Sequence, residues 1–292
     1  MSLPDFSYRD AASFDDAFTM HGRDGADARY FSGGTALMLL MRAGLLHPVS
    51  LIGVRGLPGM HGIEHVNGVV RIGASTTHAE LAASPLLREL LPTVAETFDH
   101  VATRRVRNVG TIGGNLAHAN PHQDPPVTLT AFGATAIARG PGGERRISLD
   151  DLFVDYFQTS LAPEEILTAI EIPVPPSGSG SAFIKFLPRS ADDYATVNVA
   201  VWLQRDGDRA TAARIVVGSL GATVLRSAEA EALLTGGILD DARLWRASDA
   251  AVAAAEPELD SRGTPEYKRR VAPVIVQRAI RAAWQNCRDS AR

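Results

Sequence analysis

Residues 107–116 read RNVGTIGGNL, and they open the stretch of the chain that is richest in turn-forming residues. Glycine, asparagine and proline recur from 108 to 126, which predicts a loop rather than the interior of a helix. Gly113 and Gly114 carry no Cβ atoms, so backbone N–H groups beside them can approach an anion closely. This segment is therefore a candidate ligand-binding turn.

A second glycine pair lies near the N-terminus. Ala28 to Phe31 reads as a strand that enters Ser32-Gly33-Gly34-Thr35, and Ala36 to Met41 is predicted as a buried helix ended by Gly44. That helix directs the positive end of its dipole at the turn, so two glycine turns could hold a pyrophosphate from both sides. Glycine content alone also fits two ordinary tight turns, since no G-x-G-x-x-G or P-loop pattern is present.

The 292 residues correspond to about two domains of ordinary size. Proline, glycine and serine are concentrated over 173–181, and we place a linker at 177–181 between domains 1–176 and 182–292. The elements predicted before the linker are strands at 28–31, 49–54, 69–74 and 165–172, and helices at 36–41, from near 75–78, and at 85–98.

After the linker the pattern changes to strands followed by helices, which is typical of a small α+β domain. It predicts a three-stranded antiparallel sheet and three helices, at 182–187, 196–204 and 212–220 and at 227–234, 240–255 and 264–286. Pro273 indicates a kink or a break in the last helix.

Charge and cysteine content exclude several classes of function. A net charge of −4 offers no excess of positive charge for a nucleic-acid backbone. The single cysteine, Cys287, excludes an intrachain disulfide and an iron–sulfur cluster held by four thiolates of this chain. The N-terminus lacks a secretory signal pattern and no apolar run reaches about 18 residues, so we expect a cytoplasmic protein without a membrane span.

Other candidate sites are weaker. The pairs His61/His65 and His118/His122 have the four-residue spacing of helical metal ligands, but glycine, asparagine and proline flank them and no third ligand is indicated. We therefore predict no metal site. No nucleophile motif supports a hydrolase, and we assign no catalytic residue. The basic run 104–107 is expected on a solvated face, with at most a minor role toward an anionic ligand.

Taken together, these residues resemble the FAD-binding medium subunit of the molybdenum hydroxylases, the family of carbon monoxide dehydrogenase and xanthine dehydrogenase. Residues 32–35 are similar to the family's A-G-G-T loop, and 107–116 to its R-N-x-G-T-I-G-G-N-L motif. Further matches are 124–126, 164–173, Lys185, Arg189, Asp193-Tyr194-Ala195 and Val197. The resemblance implies a two-part FAD-binding domain of the vanillyl-alcohol-oxidase (PCMH) type, divided near 54–60, before the C-terminal domain.

The resemblance also implies the residues that contact FAD. They are Tyr30, Phe31, Ser32, Gly33, Gly34, Thr35, Ala36 and Leu37 in a first pyrophosphate loop, Thr111, Ile112, Gly113, Gly114 and Asn115 in a second, and Val101, Asp124, Leu167, Lys185 and Tyr194 outside the loops. Asp124 is implied to accept hydrogen bonds from the cofactor, Lys185 to place a positive charge near the flavin, and Tyr194 to stack on or shield the isoalloxazine.

Three positions depart from the family pattern. Ser32 stands where alanine is usual, Ala36 where an acidic or polar residue is common, and Asn120 where aspartate usually precedes Pro121. None removes a glycine of either loop, so FAD binding remains the expectation.

The function implied is electron transfer within a larger enzyme. Electrons from a molybdopterin centre on a large subunit would pass through [2Fe-2S] clusters on a small subunit to this FAD and then to an external acceptor, in a dimer of heterotrimers. The single cysteine fits this division, because the clusters need another chain. An alternative keeps the flavin but makes the chain a stand-alone FAD oxidoreductase with its own substrate pocket.

Overall fold

The computed structural model describes residues 5–187, 190, 193–235 and 237–289. Arg189, one of the family matches, and the predicted domain ends at 1 and 292 lie outside the described residues. Within those residues, no helix has the length and apolar character needed to cross a membrane.

The N-terminal part contains ten strands in the residues that the structure describes. They are β1 (Ser7–Asp10), β2 (Ala28–Phe31), β3 (Ser50–Gly53), β4 (Ile63–Val66), β5 (Val69–Gly73), β6 (Thr135–Gly140), β7 (Gly143–Ser148), β8 (Phe153–Asp155), β9 (Gln158–Thr159) and β10 (Ile166–Pro173). The first three form a parallel sheet in the order β1-β3-β2. A five-stranded antiparallel sheet follows in the order β4-β5-β10-β6-β7, and β8 pairs with β9 as a small hairpin.

Nine α-helices, and one 3-10 helix at Gly25–Asp27, connect these strands in the described residues of the N-terminal part. The α-helices are α1 (Phe14–Asp24), α2 (Thr35–Arg42), α3 (His78–Ala83), α4 (Pro85–Leu90), α5 (Pro92–Asp99), α6 (Arg104–Arg107), α7 (Ile112–His118), α8 (Asp124–Ala131) and α9 (Leu149–Leu152). The single helix predicted over 85–98 is two helices. Its break lies at Leu91, because Pro92 has no backbone N–H with which to continue α4.

The prediction of a loop over 108–126 is also wrong, because α7 and the start of α8 lie within this segment. The Thr111 hydroxyl accepts a hydrogen bond from the Gly114 N–H and so caps α7. A Cβ on Gly113 would lie 2.6 Å from the Cβ of Ala74, and the Gly113 N–H donates to the Ala74 carbonyl at 2.8 Å. Gly113 therefore permits close helix packing against the end of β5, an effect that outweighs the low helix propensity of glycine.

The C-terminal part is an antiparallel sheet with helices. Its elements are β11 (Ser179–Phe186), β12 (Val197–Asp206), β13 (Arg209–Gly218) and β14 (Leu225–Arg226), and α10 (Ala228–Thr235), α11 (Asp241–Val252) and α12 (Pro265–Asp289). The sheet has four strands in chain order, so the predicted three-stranded sheet lacked the two-residue β14. Pro273 does not end α12, which continues through it.

The strand β11 begins inside the predicted linker. Ser179 to Ser181 pairs with β12, so this serine- and glycine-rich segment belongs to the sheet. A Cβ on Gly180 would overlap the Ala283 carbonyl oxygen and lie 2.5 Å from the Cys287 nitrogen. Small residues here let α12 pack directly on the strand. Composition alone predicts a flexible linker for the same residues.

The sheet of the C-terminal part packs on both faces. One face contacts α10, α11 and α12 through a large apolar cluster. On the other face, Ala200 and Val216 pack against Val127 and Ala131 of α8. The helix α8 thus lies between the two parts of the chain, with Asp124 at its first position.

Arg214 adds a polar link across the same junction. Its guanidinium donates to the Thr130 carbonyl at 2.9 Å and to both carboxylate oxygens of Asp150 at 2.8 Å. This links β13 to the end of α8 and to α9. Both side chains are partly exposed, so solvent weakens the ion pair, while the bond to the carbonyl also secures the helix end.

We expect Arg214→Met to lower the free energy of unfolding by about 1–2 kcal/mol, because it removes hydrogen bonds that join the two parts. Urea unfolding of the full chain measures this. Arg209→Met, on the exposed end of the same strand, is the matched control and should change stability by less than about 0.5 kcal/mol. Equal effects of the two substitutions would contradict this role of Arg214.

Candidate cofactor-binding site

A cavity of about 1430 Å³ lies where the glycine loops, α8 and β11 meet. Its volume exceeds that of typical small-ligand sites, which take up to about 1,000 Å³, so it has room for a dinucleotide. All but one of the predicted site residues line it, namely Tyr30 to Leu37, Val101, Thr111, Gly113, Gly114, Asn115, Asp124, Leu167, Lys185 and Tyr194. The exception is Ile112, which is fully buried in the N-terminal core instead.

The two glycine loops touch each other. A Cβ on Gly33 would overlap the carbonyl oxygen of Val109 and lie 3.0 Å from the Cα of Gly110 and 3.2 Å from the nitrogen of Thr111. Gly34 has φ of 66°, a left-handed conformation that favours glycine. The first loop therefore needs glycine at position 33, where a side chain would overlap Val109, and at position 34, where the backbone is left-handed.

The first loop carries free backbone donors. In the described structure, no backbone N–H from Gly33 to Leu37 donates to a protein acceptor, and no side chain caps the start of α2. These groups line the cavity. Consecutive free N–H groups at a helix N-terminus form a site for an anion, with the helix dipole adding to the attraction.

The second loop differs in what it offers an anion. The N–H groups of Ile112 and Gly113 donate to the carbonyls of Thr76 and Ala74, and those of Gly114 and Asn115 to the hydroxyl and carbonyl of Thr111. Its donors are therefore already engaged. What it contributes to the cavity is space beside the glycines and the side-chain oxygen of Asn115, which is buried without a hydrogen-bond partner in the described structure.

A buried ion pair lies in the wall where α8 meets β11. The Lys185 ammonium is 2.7 Å from one Asp124 carboxylate oxygen and donates to the His100 carbonyl at 2.9 Å. The other oxygen of Asp124 accepts a hydrogen bond from the Asn198 amide at 2.9 Å. Burial raises the pKa of the Asp124 carboxyl, while the ammonium of Lys185 and the amide of Asn198 act in the opposite direction.

Tyr194 lies on the cavity wall with about 40% of its surface exposed. The Arg262 guanidinium is 5.4 Å from the centre of its ring, and Arg262 also donates to the Tyr194 carbonyl at 3.2 Å. The ring of His122 lies 6.2 Å away. These contacts, one from each part of the chain, hold the tyrosine at the cavity wall.

The three departures from the family pattern remain compatible with the loops. The Ser32 hydroxyl is 3.0 Å from that of Ser75, and the Asn120 side chain accepts a hydrogen bond from the His122 N–H at 3.0 Å. Ala36 lines the cavity without adding a charge. The two polar departures therefore take local protein partners.

Sequence reasoning missed His78, which also lines the cavity. It is buried, its ring stacks on Phe98 at 5.4 Å, and a Cβ on Gly110 would lie 3.1 Å from it. Burial lowers the pKa of His78 to about 4, with the charge of Arg107 acting in the same direction. A threonine followed by histidine at a helix start gives no sequence signal for such a site.

The histidines of the pair His118/His122 contact aromatic rings. His118 contacts the ring of Phe157, and His122 contacts Tyr194. Over the residues that the structure describes, no three histidine, cysteine, aspartate or glutamate side chains are grouped so that they could hold a metal ion.

Comparisons with known proteins agree with this geometry. Residues 4–175 match the family model described as the FAD binding domain in molybdopterin dehydrogenase, and residues 182–283 match the CO dehydrogenase flavoprotein C-terminal domain. The carbon monoxide dehydrogenase medium chain of Hydrogenophaga pseudoflava is 34% identical over 98% of this chain and 100% of its own length. The nicotine 6-hydroxylase medium subunit of Paenarthrobacter nicotinovorans is 35% identical over 96% of this chain and 98% of its own.

A solved structure is similar as well. The carbon monoxide dehydrogenase of Hydrogenophaga pseudoflava that lacks the Mo-pyranopterin moiety contains a chain with a TM-score of 0.96 and 35% identity, over 98% of this chain and 100% of that one. This chain therefore belongs to the family of FAD-binding subunits of the molybdopterin-containing dehydrogenases.

The low pKa of His78 predicts a loss of stability in acid. The unfolded chain takes up a proton near the ordinary histidine pKa of 6.5 and the folded chain only near 4, so stability present above pH 6.5 declines as the pH falls to 4. This contribution amounts to at most about 3 kcal/mol.

Urea unfolding at pH 7.5 and pH 4.5 tests this. His78→Gln should lose less stability between the two values than the wild-type chain does, while the exposed His47→Gln should behave as wild type. If His78→Gln shows the full wild-type loss, the buried neutral imidazole is not its source.

Proposed function

We propose that this chain binds FAD in the cavity and passes electrons to an external acceptor as the flavin subunit of a molybdenum hydroxylase. The observation that carries the proposal is the run of free N–H groups from Gly33 to Leu37 on the wall of a cavity of dinucleotide size. The similarity to medium chains over nearly its whole length supports the same reading.

The residues present fit the parts of FAD. The first loop would hold the pyrophosphate through its free N–H groups and the dipole of α2. The unpartnered side-chain oxygen of Asn115 would accept a hydrogen bond from a cofactor hydroxyl or amine, since no donor of the described protein reaches it. Val101 and Leu167 would supply apolar contacts, and the ring of Tyr194 would cover the isoalloxazine. Ile112 would support the second loop from the core.

Bound FAD would supply the capacity to take up two electrons and release them to an acceptor. Lys185 would present the third N–H of its ammonium to the cofactor, because the other two bonds go to Asp124 and His100. Its charge is balanced by Asp124, so the pair acts on the flavin more as a fixed dipole than as an isolated cation. Asp124 would hold Lys185 at the cavity wall.

The architecture fits the same proposal. We place the FAD-binding domain at 1–176, of the vanillyl-alcohol-oxidase (PCMH) type, with its two subdomains joined near 54–60, between the parallel sheet and the five-stranded sheet. A linker at 177–181 would precede the C-terminal domain at 182–292. The part of this linker from Ser179 is paired in the sheet, so any freedom would be confined to its first residues.

The relatives named medium chain or medium subunit belong to enzymes of several subunits. We infer that this chain has two partners, a small subunit with [2Fe-2S] clusters and a large molybdopterin subunit. The three chains would assemble as a dimer of heterotrimers in the cytoplasm. The organic substrate would bind on the large subunit, and this chain would receive electrons only.

Gly33→Ala should weaken FAD binding by at least about tenfold, because the added methyl group pushes the first loop away from Val109 and Thr111. Titration of the FAD-depleted full chain with FAD, followed by flavin fluorescence, measures the change. Gly22→Ala is the control, since its Cβ would meet nothing within 4 Å. Equal affinity of both variants would contradict the assigned loop.

Expression together with the neighbouring genes tests the wider role. We expect a complex that contains flavin, iron and molybdenum, in which reduction at the molybdenum centre bleaches the flavin. A colourless chain that purifies alone would contradict the proposal. A substrate that bleaches the flavin of the isolated chain would instead favour a stand-alone oxidoreductase.

A further inference from the structure

Asn198 occupies a row of three residues across the sheet of the C-terminal part. It lies opposite Lys185 on β11 and opposite Gly218 on β13 in the strand register. Directly opposed residues of antiparallel strands project to the same face of the sheet. This is the face that packs on α8, and Asn198 is fully buried there.

The hydrogen bonds of Asn198 fix the orientation of its amide. The nitrogen donates to an Asp124 carboxylate oxygen at 2.9 Å and to the Gln123 carbonyl at 3.1 Å. The oxygen accepts from the Ser219 hydroxyl at 3.2 Å. The opposite orientation would place the amide oxygen against two acceptors, so only this one satisfies the site.

Gly218 leaves the space that this arrangement needs. A Cβ there would overlap the Asn198 side-chain oxygen and lie 2.5 Å from a Val127 methyl group. Glycine on the neighbouring strand therefore permits the side chain of Asn198 to lie between the sheet and α8. The bond from Ser219, the next residue along, then keeps the amide from rotating.

From this geometry we propose that Asn198 is a positioning residue for the flavin site: it fixes the Asp124 carboxylate, which in turn holds the Lys185 ammonium at the cavity wall. The inference rests on the proposed function for its consequence at FAD, but the positioning is a property of the chain itself. One oxygen of the Asp124 carboxylate is paired with the Lys185 ammonium, and the other accepts a hydrogen bond from the Asn198 amide.

The consequence concerns the charge beside the cofactor. Without the Asn198 donor, the buried Asp124 is protonated at higher pH, and the positive charge of Lys185 is then no longer balanced. The other titratable groups near Asp124 are His100, whose charge also favours the carboxylate, and Tyr194, whose pKa is raised mainly by burial.

The test measures the reduction potential of bound flavin against pH, from 5.5 to 8.5, in the assembled protein. Asp124→Asn should shift the potential to more positive values throughout. The potential of Asn198→Ala should be close to that of wild type at high pH and should approach that of Asp124→Asn as the pH falls. Ser219→Ala should show a smaller change in the same direction, and it serves if Asn198→Ala fails to fold.

Thr97→Val is the matched control. It removes two buried hydrogen bonds, one to Thr128 of α8 and one to the Thr93 carbonyl, without touching Asp124. Its potential should follow wild type at every pH. If Asn198→Ala and Ser219→Ala also follow wild type, Asn198 only fills space and the proposal is overturned.

A second measurement needs no flavin. A double-mutant cycle of Asn198→Ala and Asp124→Asn, followed by urea unfolding of the FAD-free chain, should give a coupling of at least about tenfold in the unfolding equilibrium constant. No coupling would overturn the positioning role. Failure of the wild-type chain to take up FAD would count against the proposed function alone, because the cycle still decides the role of Asn198.

Discussion

The contact between Gly33 and the segment Val109 to Thr111 is the constraint on which the site depends. It brings a loop from the parallel sheet against a loop that leads into α7, and only a residue without a side chain fits between them. The left-handed Gly34 then starts α2 with its first N–H groups unpaired. One close approach of two backbones thus creates both the cavity wall and its anion-binding donors.

The other side of the cavity depends on α8. This helix packs on the sheet of the C-terminal part and begins with Asp124, whose carboxylate is paired with Lys185. A buried ion pair of this kind is weak support for stability, since both charges lose their hydration. Its position on the cavity wall argues for a role in setting the electrostatics of the site, with the neighbouring amide of Asn198 completing the carboxylate's partners.

Local sequence motifs predict much of the lining of this cavity. The glycine pairs, the family motifs and Lys185 carry residue types that suit a site, and all the predicted cofactor contacts but Ile112 line the cavity. Packing over long distances explains what was missed. The helix α7 forms despite two glycines because Ala74 lies against it. The segment from Ser179 belongs to the sheet, and Gly180 lets α12 pack directly on it. His78 and Asn198 contact Phe98 and Asp124, residues distant in the sequence, and no local pattern shows such contacts.

Hydrogen–deuterium exchange of the full chain, with its partners where they co-purify, can be compared before and after FAD is removed and then restored. We expect slower exchange on FAD binding at the amides from Gly33 to Leu37, which have no protein acceptor in the described structure. The amides from Ile112 to Asn115 should change less, because they are bonded already. If FAD binds and the amides of the first loop are not protected, the first loop does not hold the cofactor.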